Sequence, residues 1–374
     1  MATLQEILGT PRLVERVQQI KPGLAADLLP DGFYSTTVNI TGNVGSYDRV
    51  IGERRAARTT RYGAPSQAQE SLGVSNIPVN LLHAAEHIAV APNVMLMLRE
   101  EGNDKLQARG IMELARRLAD QKQRFTNLRT LAIQLMLSTG KLYAGVAGTL
   151  QTTSTSAMTS ADFGIPAGNQ GQLNVFSAGP IITASWATVG TSIQTQIRNL
   201  KIAARRLTGF PIKHAFFGVN VMTYLLNNTE YSTYFRHNSA AQDALKRGEI
   251  PDALASLTWH PMGEAFMLNE GVPQGGAVLE AGTTAGIWDP DLVVFTPEID
   301  GSWYDMIQGS ELLPDGMWEG KSAQEILDSM EEVFGLGVYA KLEDDPVQLK
   351  SIMVDTFLPV IKVPKAIFQA KVKF

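Results

Sequence analysis

Between Asp104 and Gly140 the chain reads DKLQARGIMELARRLADQKQRFTNLRTLAIQLMLSTG. Ile111, Leu114, Leu118, Phe125, Leu128, Leu131 and Leu135 recur at steps of three, four or seven, a spacing that lines apolar side chains along one face of an α-helix. Asp104 is suited to cap the start of that helix and Gly140 to end it. The 36 residues from Asp104 to Thr139 predict a single rod of roughly 54 Å. That is about three times the length of a typical globular helix.

The same stretch is basic. From Asp104 to Lys141 there are eight Lys and Arg residues (Lys105, Arg109, Arg116, Arg117, Lys122, Arg124, Arg129, Lys141) against three acids (Asp104, Glu113, Asp120), in a chain whose formal net charge is -5. Charge on the outer side of an amphipathic helix is usually a solvated face. The sharper reading turns Arg116, Arg117, Lys122 and Arg124 toward a polyanion or toward acidic surfaces of neighbouring subunits. A pI near 5.6 argues against a protein whose whole surface grips nucleic acid, and leaves a local basic stripe open.

The rest of the chain is more irregular. Thr10-Pro11 followed by Leu13, Val14, Val17 and Ile20 predicts a short amphipathic helix. From Leu28 to Ile51 the sequence loosens into Thr, Gly and Asn, which predicts extended chain rather than a packed domain. The segment RTTRYGAPSQAQE, Arg58 to Glu70, is basic and almost without core-forming residues, between two stretches that both look structured. Residues 147–174 are rich in Ser, Thr and Gly and predict hairpin and loop. Ile193, Ile197, Leu200, Ala204 and Leu207 mark a second amphipathic helix closed by Gly209. IKHAFFGVN then reads as a buried strand leading into a short helix, and the last third alternates strand-like runs with Gly, Pro and Asp turns. The class is α+β.

Little of this points to catalysis. With no cysteine there is no disulfide, thiolate metal site or Cys nucleophile. HAAEH, His83 to His87, matches the H-x-x-E-H pattern of inverted zinc peptidases. On a helix, His83 and His87 would share a face with Glu86 beside them as general base. A third ligand has no identifiable motif. ADFG at 161–164 lacks the companion signatures of a kinase and reads as a turn. His214, His237 and His260 are scattered without ligand spacing. The N-terminus has no uninterrupted apolar core and the longest apolar run is VMLML at 94–98, so neither a signal peptide nor a membrane helix is expected, and the protein is expected to be soluble. No cofactor is expected.

The order of features is more informative than any one of them. A polar N-terminal segment is followed by a Gly- and Pro-containing basic loop and a long basic-faced helix ending in STGK (138–141). Then come a hairpin region holding ADFGIP (161–166), a helix led by Trp186 with Gly209 at its end, and a strand-rich final half. In that order the chain resembles the major capsid proteins of tailed phages, in particular the bacteriophage lambda major head protein family.

The resemblance implies a Hong Kong 97-like fold. It implies an N-terminal arm at 1–46, an extended loop at 47–91, a peripheral domain with the spine helix at 92–179, an axial domain at 180–334, and strands returning to the peripheral domain at 335–374. Arg58 to Glu70 would then be the loop tip, with Arg54, Arg55, Arg58, Arg61, Tyr62 and Gly63 contacting an adjacent subunit. The implied function is a major capsid protein that assembles with itself, as pentamers and hexamers, into an icosahedral shell around the genome. The implied partners are a portal, possible decoration proteins, and packaged DNA touched non-specifically. About a hundred residues before the spine leave no room for a fused scaffold, so a separate scaffolding protein is expected. The implied location is the virion capsid, reached through the host cytoplasm. An encapsulin-like container on the same fold is the alternative, and a zinc hydrolase using His83, Glu86 and His87 is the alternative of another class.

Overall fold

The structure is a computed structural model that describes Val17 and residues 29–51, 73–90, 104–144, 150–151, 159–170, 175–176, 179–180, 182–236, 256–262, 266–267, 284–285, 288–314, 330–344 and 347–374. The helix expected at Thr10 onward lies outside the described residues apart from Val17. A short helix α1 (Gly32–Ser35) leads into β1 (Thr37–Ile40), the hairpin strands β2 (Val44–Ile51) and β3 (Gly73–Asn80), and β4 (Leu82–Val90). The long helix α2 (Asp104–Thr139) follows, then β5 (Lys141–Ala144) and β6 (Thr159–Asp162). The middle of the chain supplies α3 (Ile193–Thr208), β7 (Ile212–Phe217), α4 (Val219–Asn227), α5 (Thr229–Arg236) and β8 (Thr258–Pro261). The remainder is β9 (Leu292–Pro297), β10 (Tyr304–Pro314), β11 (Met330–Phe334), β12 (Leu336–Asp344), β13 (Val347–Ile361) and β14 (Phe368–Lys371).

The helix α2 has the bounds its sequence predicts. Leu114, Leu118, Phe125, Leu131 and Leu135 are buried, and Gly140 takes φ +70 with its N–H bonded to the Met136 carbonyl at 3.0 Å, a left-handed stop. Replacing Leu118, 1% exposed, by Asp is expected to cost about 3 kcal/mol or more by burying an unpaired carboxylate. Insoluble protein, or a fall of that size in denaturant titration, would bear this out. A soluble variant with an unchanged midpoint would mean that the stripe faces solvent.

One stripe does not describe the whole helix. From Thr130 to Leu137 every residue is buried, because this end runs between two sheets. The larger sheet is organised on β13, fifteen residues long. One edge takes β4, with Leu82 opposite Phe357 and Val90 opposite Leu349. Along the other edge β10 pairs only with the last five residues, Tyr304 opposite Ile361 through Gln308 opposite Phe357. Beyond that point β10 and β13 part. The chain from 330 to 344 fills the fork, entering beside β10 as β11 and leaving beside β13 as β12. Its vertex is Gly335, at φ +70, which donates to the Gly309 carbonyl at 2.9 Å. A β-carbon there would lie 2.9 Å from the Gln308 side chain and 3.1 Å from Arg129 Nη2, so the vertex requires glycine for both space and backbone.

At the same place α2 is fastened to the sheet. Arg129 donates two hydrogen bonds to Asp355, Nε to Oδ2 at 2.7 Å and Nη2 to Oδ1 at 2.6 Å, and its guanidinium lies 5.4 Å from the centre of the Phe357 ring. Asp355 is fully buried. Burial works against the charge on Arg129, and the Asp355 carboxylate outweighs it, holding the guanidinium above its ordinary range.

The smaller sheet has the order β8-β7-β9-β14, with β8 parallel to β7 and the other pairs antiparallel. Both its faces are covered. Val293, Phe295, Ala215, Phe217, Phe368 and Ala370 point to one core with α3 and α4, and Val294 and Phe216 point to the other, shared with α2. That is why AFF and LVVF read as unbroken apolar runs. Gln369, between Phe368 and Ala370, gives its amide to the Leu137 carbonyl at 2.7 Å near the end of α2. Trp186 is buried against α3, and its indole N–H donates to Gln196 Oε1 at 2.9 Å.

Two placements differ from the sequence reading. The stretch from Leu28 was expected to be extended chain without a core, yet Leu29 and Phe33 are buried in the main core. There Phe33 meets Tyr304 edge-on with ring centres 4.9 Å apart, and β1 continues as a parallel strand beside β10. Sheet membership also crosses the expected ranges, since Tyr304–Pro314 and Met330–Phe334 pair into the larger sheet and Phe368–Lys371 into the smaller one.

Candidate functional site

The hairpin β2–β3 is held to the body by few residues. Its strands pair in unbroken register from Val44 opposite Asn80 to Ile51 opposite Gly73, and Asn76 crosses between them to Ser46 and Asp48 at 3.2 and 3.0 Å. Among the described side chains of these strands Tyr47 and Val79 are the buried core residues; Val44 and Val74 stand 63% and 54% exposed. Burial raises the Tyr47 hydroxyl, against the pull of nearby Arg49. Val50 N–H donates to the Lys362 carbonyl at 2.8 Å, and Lys362 pairs with Asp305 at 2.8 Å. The sequence-predicted contact residues Arg54, Arg55, Arg58, Arg61, Tyr62 and Gly63 lie outside the described residues. The pairing of Ile51 with Gly73 does fix that the segment carrying them leaves and returns at one spot.

Of the four basic residues singled out on α2, Arg116, Arg117, Lys122 and Arg124, three are turned to this chain's own elements. Arg117 donates to Glu113 at 3.2 Å and to the Ala89 carbonyl at 2.9 Å. Arg124 pairs with Glu86 at 3.2 Å. Lys122 reaches the Val17 carbonyl at 2.5 Å, and burial, with Arg129 nearby, lowers its pKa. Arg116 is exposed, as are Arg109 and Met112. So much of this face holds β4 and Val17 to the helix, through partly exposed contacts that contribute about 1 kcal/mol or less each.

HAAEH is not on a helix. His83 to His87 lie in β4, where four residues span roughly 13 Å and alternate side chains face opposite ways. His83 and His87 are therefore too far apart to share a metal, and Glu86 is on the other face with Arg124. The zinc-hydrolase reading is corrected on this geometry. His83 Nδ1 instead lies 2.6 Å from Glu311 and 3.1 Å from Thr356, across β13. Among the described residues no group of three His, Asp or Glu is placed to hold a metal ion, and no described helix is long and apolar enough to cross a membrane.

Two histidines that look scattered in sequence are neighbours. Parallel pairing of β7 with β8 brings His214 Nδ1 and His260 Nε2 to 3.1 Å, with His260 stacked on Phe216 at 4.9 Å. Lys213 and Glu298 flank them. Burial lowers both pKa values, His260 to about 4 with its partner's help. A histidine held below its unfolded value contributes stability that is complete above about 6.5 and is lost as pH falls toward about 4. The melting temperature is expected to fall across that window, and His260→Gln to flatten the slope. An unchanged slope would remove the pair from the acid response.

A long helix laid along a sheet drawn from both ends of the chain, a second sheet-and-helix unit built mostly from the middle, and a hairpin held by its root together define a shell-forming capsid subunit of the Hong Kong 97-like type. The chain belongs to the phage major capsid protein E family, which it matches over residues 9–372.

Solved structures agree on the fold. A phage-related protein from Bordetella bronchiseptica RB50 is similar with a TM-score of 0.53 at 11% identity, over 97% of each chain. A protein assigned as a capsid protein of a prophage of E. coli CFT073 is similar with a TM-score of 0.55 at 13% identity, over 98% of this chain and 99% of that one. The SrpI encapsulin of Synechococcus elongatus is more distant, with a TM-score of 0.42 at 8% identity over 95% and 89% of the two chains, and carries no argument for a cargo container. No curated protein matches the chain in sequence. The role is structural: the chain assembles with copies of itself into a shell and is part of the virion capsid.

Proposed function

We propose that the chain forms the pentamers and hexamers of an icosahedral head, with residues 47–91 as its extended loop, of which the hairpin up to Asn80 reaches over an adjacent subunit and β4 ties the base into the larger sheet. The remaining divisions are the arm at 1–46, the peripheral domain at 92–179 with strands returning at 335–374, and the axial domain at 180–334, except that Tyr304–Pro314 and Met330–Phe334 go with the larger sheet and Phe368–Lys371 with the smaller one. The observation that carries this reading is the hairpin: eight residue pairs in register, with little of their surface committed to their own subunit. A segment that cannot repay its ordering within one chain is repaid by a second one. Arg54, Arg55, Arg58 and Arg61 suit bidentate contacts to carboxylates there. The exposed part of the α2 basic face, around Arg116, suits non-specific contact with packaged DNA. A separate scaffolding protein, a portal and decoration proteins are the partners this role calls for, with assembly in the host cytoplasm. Co-expression with the scaffolding protein, followed by sedimentation and negative-stain microscopy, is expected to give closed shells. Monomer alone under those conditions would overturn the proposal.

A further inference from the structure

The turn Asp162-Phe163-Gly164 has no role in the reading above, yet every residue in it is committed. Asp162 Oδ1 accepts the Gly164 N–H at 2.8 Å, and the same carboxylate pairs with Lys141 at 3.3 Å. Phe163 is fully buried in the main core, where Tyr47 of β2 also packs. Gly164 has φ +71, and a β-carbon on it would fall 2.2 Å from Arg49 Nη1 and 3.2 Å from Arg49 Cζ. The left-handed backbone at Gly164 favours glycine, and the slot its missing β-carbon leaves is where the guanidinium of Arg49 lies.

We infer that this turn is the seat that sets the direction of the extended loop, and that Arg49 is the positioning residue that registers β2 on it. The inference rests on the reading of 47–91 as that loop. Three successive points of β2 are then tied to the body: Tyr47 in the core, Arg49 in the slot, and Val50 by its N–H to the Lys362 carbonyl. Immediately beyond them Ile51 and Gly73 close the hairpin ladder. The 21 residues between, 52–72, reach at most about 33 Å as a doubled-back segment. At that reach a 10° error in the exit direction displaces a tip by about 6 Å, roughly twice a hydrogen-bond length. A contact repeated in every subunit of a shell does not tolerate such an error, whereas the fold of one subunit is indifferent to it.

Because the chain has no cysteine, Val74→Cys and Asn199→Cys give a clean pair of spin-label sites, one on the hairpin and one on α3. In the parent protein the inter-label distance is expected to be narrow. In Arg49→Ala it is expected to broaden or shift, with the melting temperature unchanged and the concentration needed for shell assembly raised at least tenfold. Gly164→Ala is expected to act in the same direction. The double variant should be little worse than either single one in assembly, since both break one contact. Shells from Arg49→Ala at the parent concentration, with an unchanged distance distribution, would overturn the inference while leaving the loop reading intact. Normal shells from a chain lacking residues 59–69 would overturn the loop reading and this inference with it.

Discussion

Replacing residues 59–69 by a short Gly-Ser turn is expected to abolish shell closure while leaving the circular dichroism of the monomer unchanged and its melting temperature within about 2 °C. The segment Arg58 to Glu70 offers only Tyr62, Ala64 and Ala68 as apolar side chains, too little to offset the entropy of ordering thirteen residues within one chain. Its root, by contrast, is secured by Tyr47 and Val50 well before the replaced stretch. Charge reversal at Arg58 and Arg61 should weaken assembly in the same direction, less severely and with an altered dependence on salt. Sedimentation of purified subunits with scaffold reads both variants. If the deletion unfolds the monomer, or shells form without the segment, it is not an assembly loop.

The second large effect is internal. Arg129→Met is expected to destabilise the subunit by about 3–5 kcal/mol, because it strands the Asp355 carboxylate without a partner in a dry interior. Asp355 is fully buried, and the side chain of Arg129 is 15% exposed. Putting Leu at 355 in the same protein should recover most of that loss, since a hydrophobic pair of similar volume carries no desolvation cost. Equilibrium denaturation of the two single variants and the double one gives the coupling directly. A single-variant loss under about 1 kcal/mol would show that water reaches the carboxylate.

The sequence made the spine helix legible because its period holds for 36 residues, long enough that local preference and tertiary packing agree. The burial of Thr130 to Leu137 on all sides was not legible. The strands that cover it, Ile212–Phe217, Leu292–Pro297 and Val347–Ile361, come from remote parts of the chain. HAAEH misled because a nine-residue run holding three alanines fits either period. What decides for a strand is pairing with β13 in unbroken register, together with Arg124, which makes Glu86 acceptable on the inner face. The contact of His214 with His260 depends on a parallel strand pairing that no local pattern announces. In the candidate site the ADFG turn could be read, but not the arginine that occupies it, because Arg49 precedes it by more than a hundred residues. The expected arm misses Phe33 for the same reason: one aromatic residue in a Thr- and Gly-rich stretch is a weak local signal, and its partners Trp303 and Tyr304 lie far along the chain.

The larger sheet joins Thr37 to Met306 and Leu82 to Phe357, which sets a clock on the subunit. Pairings this distant in sequence close late, and sheets dominated by them fold slowly. On a ribosome adding ~5–20 residues per second, the roughly two hundred residues between the end of the spine helix and β13 take on the order of 10 to 40 seconds to appear. Until β13 is made, the apolar stripe of α2 lacks the fifteen-residue strand that completes its cover. Completed subunits therefore enter the pool at a pace set by synthesis and sheet closure, and a growing shell draws on a supply metered by the topology of its own building block.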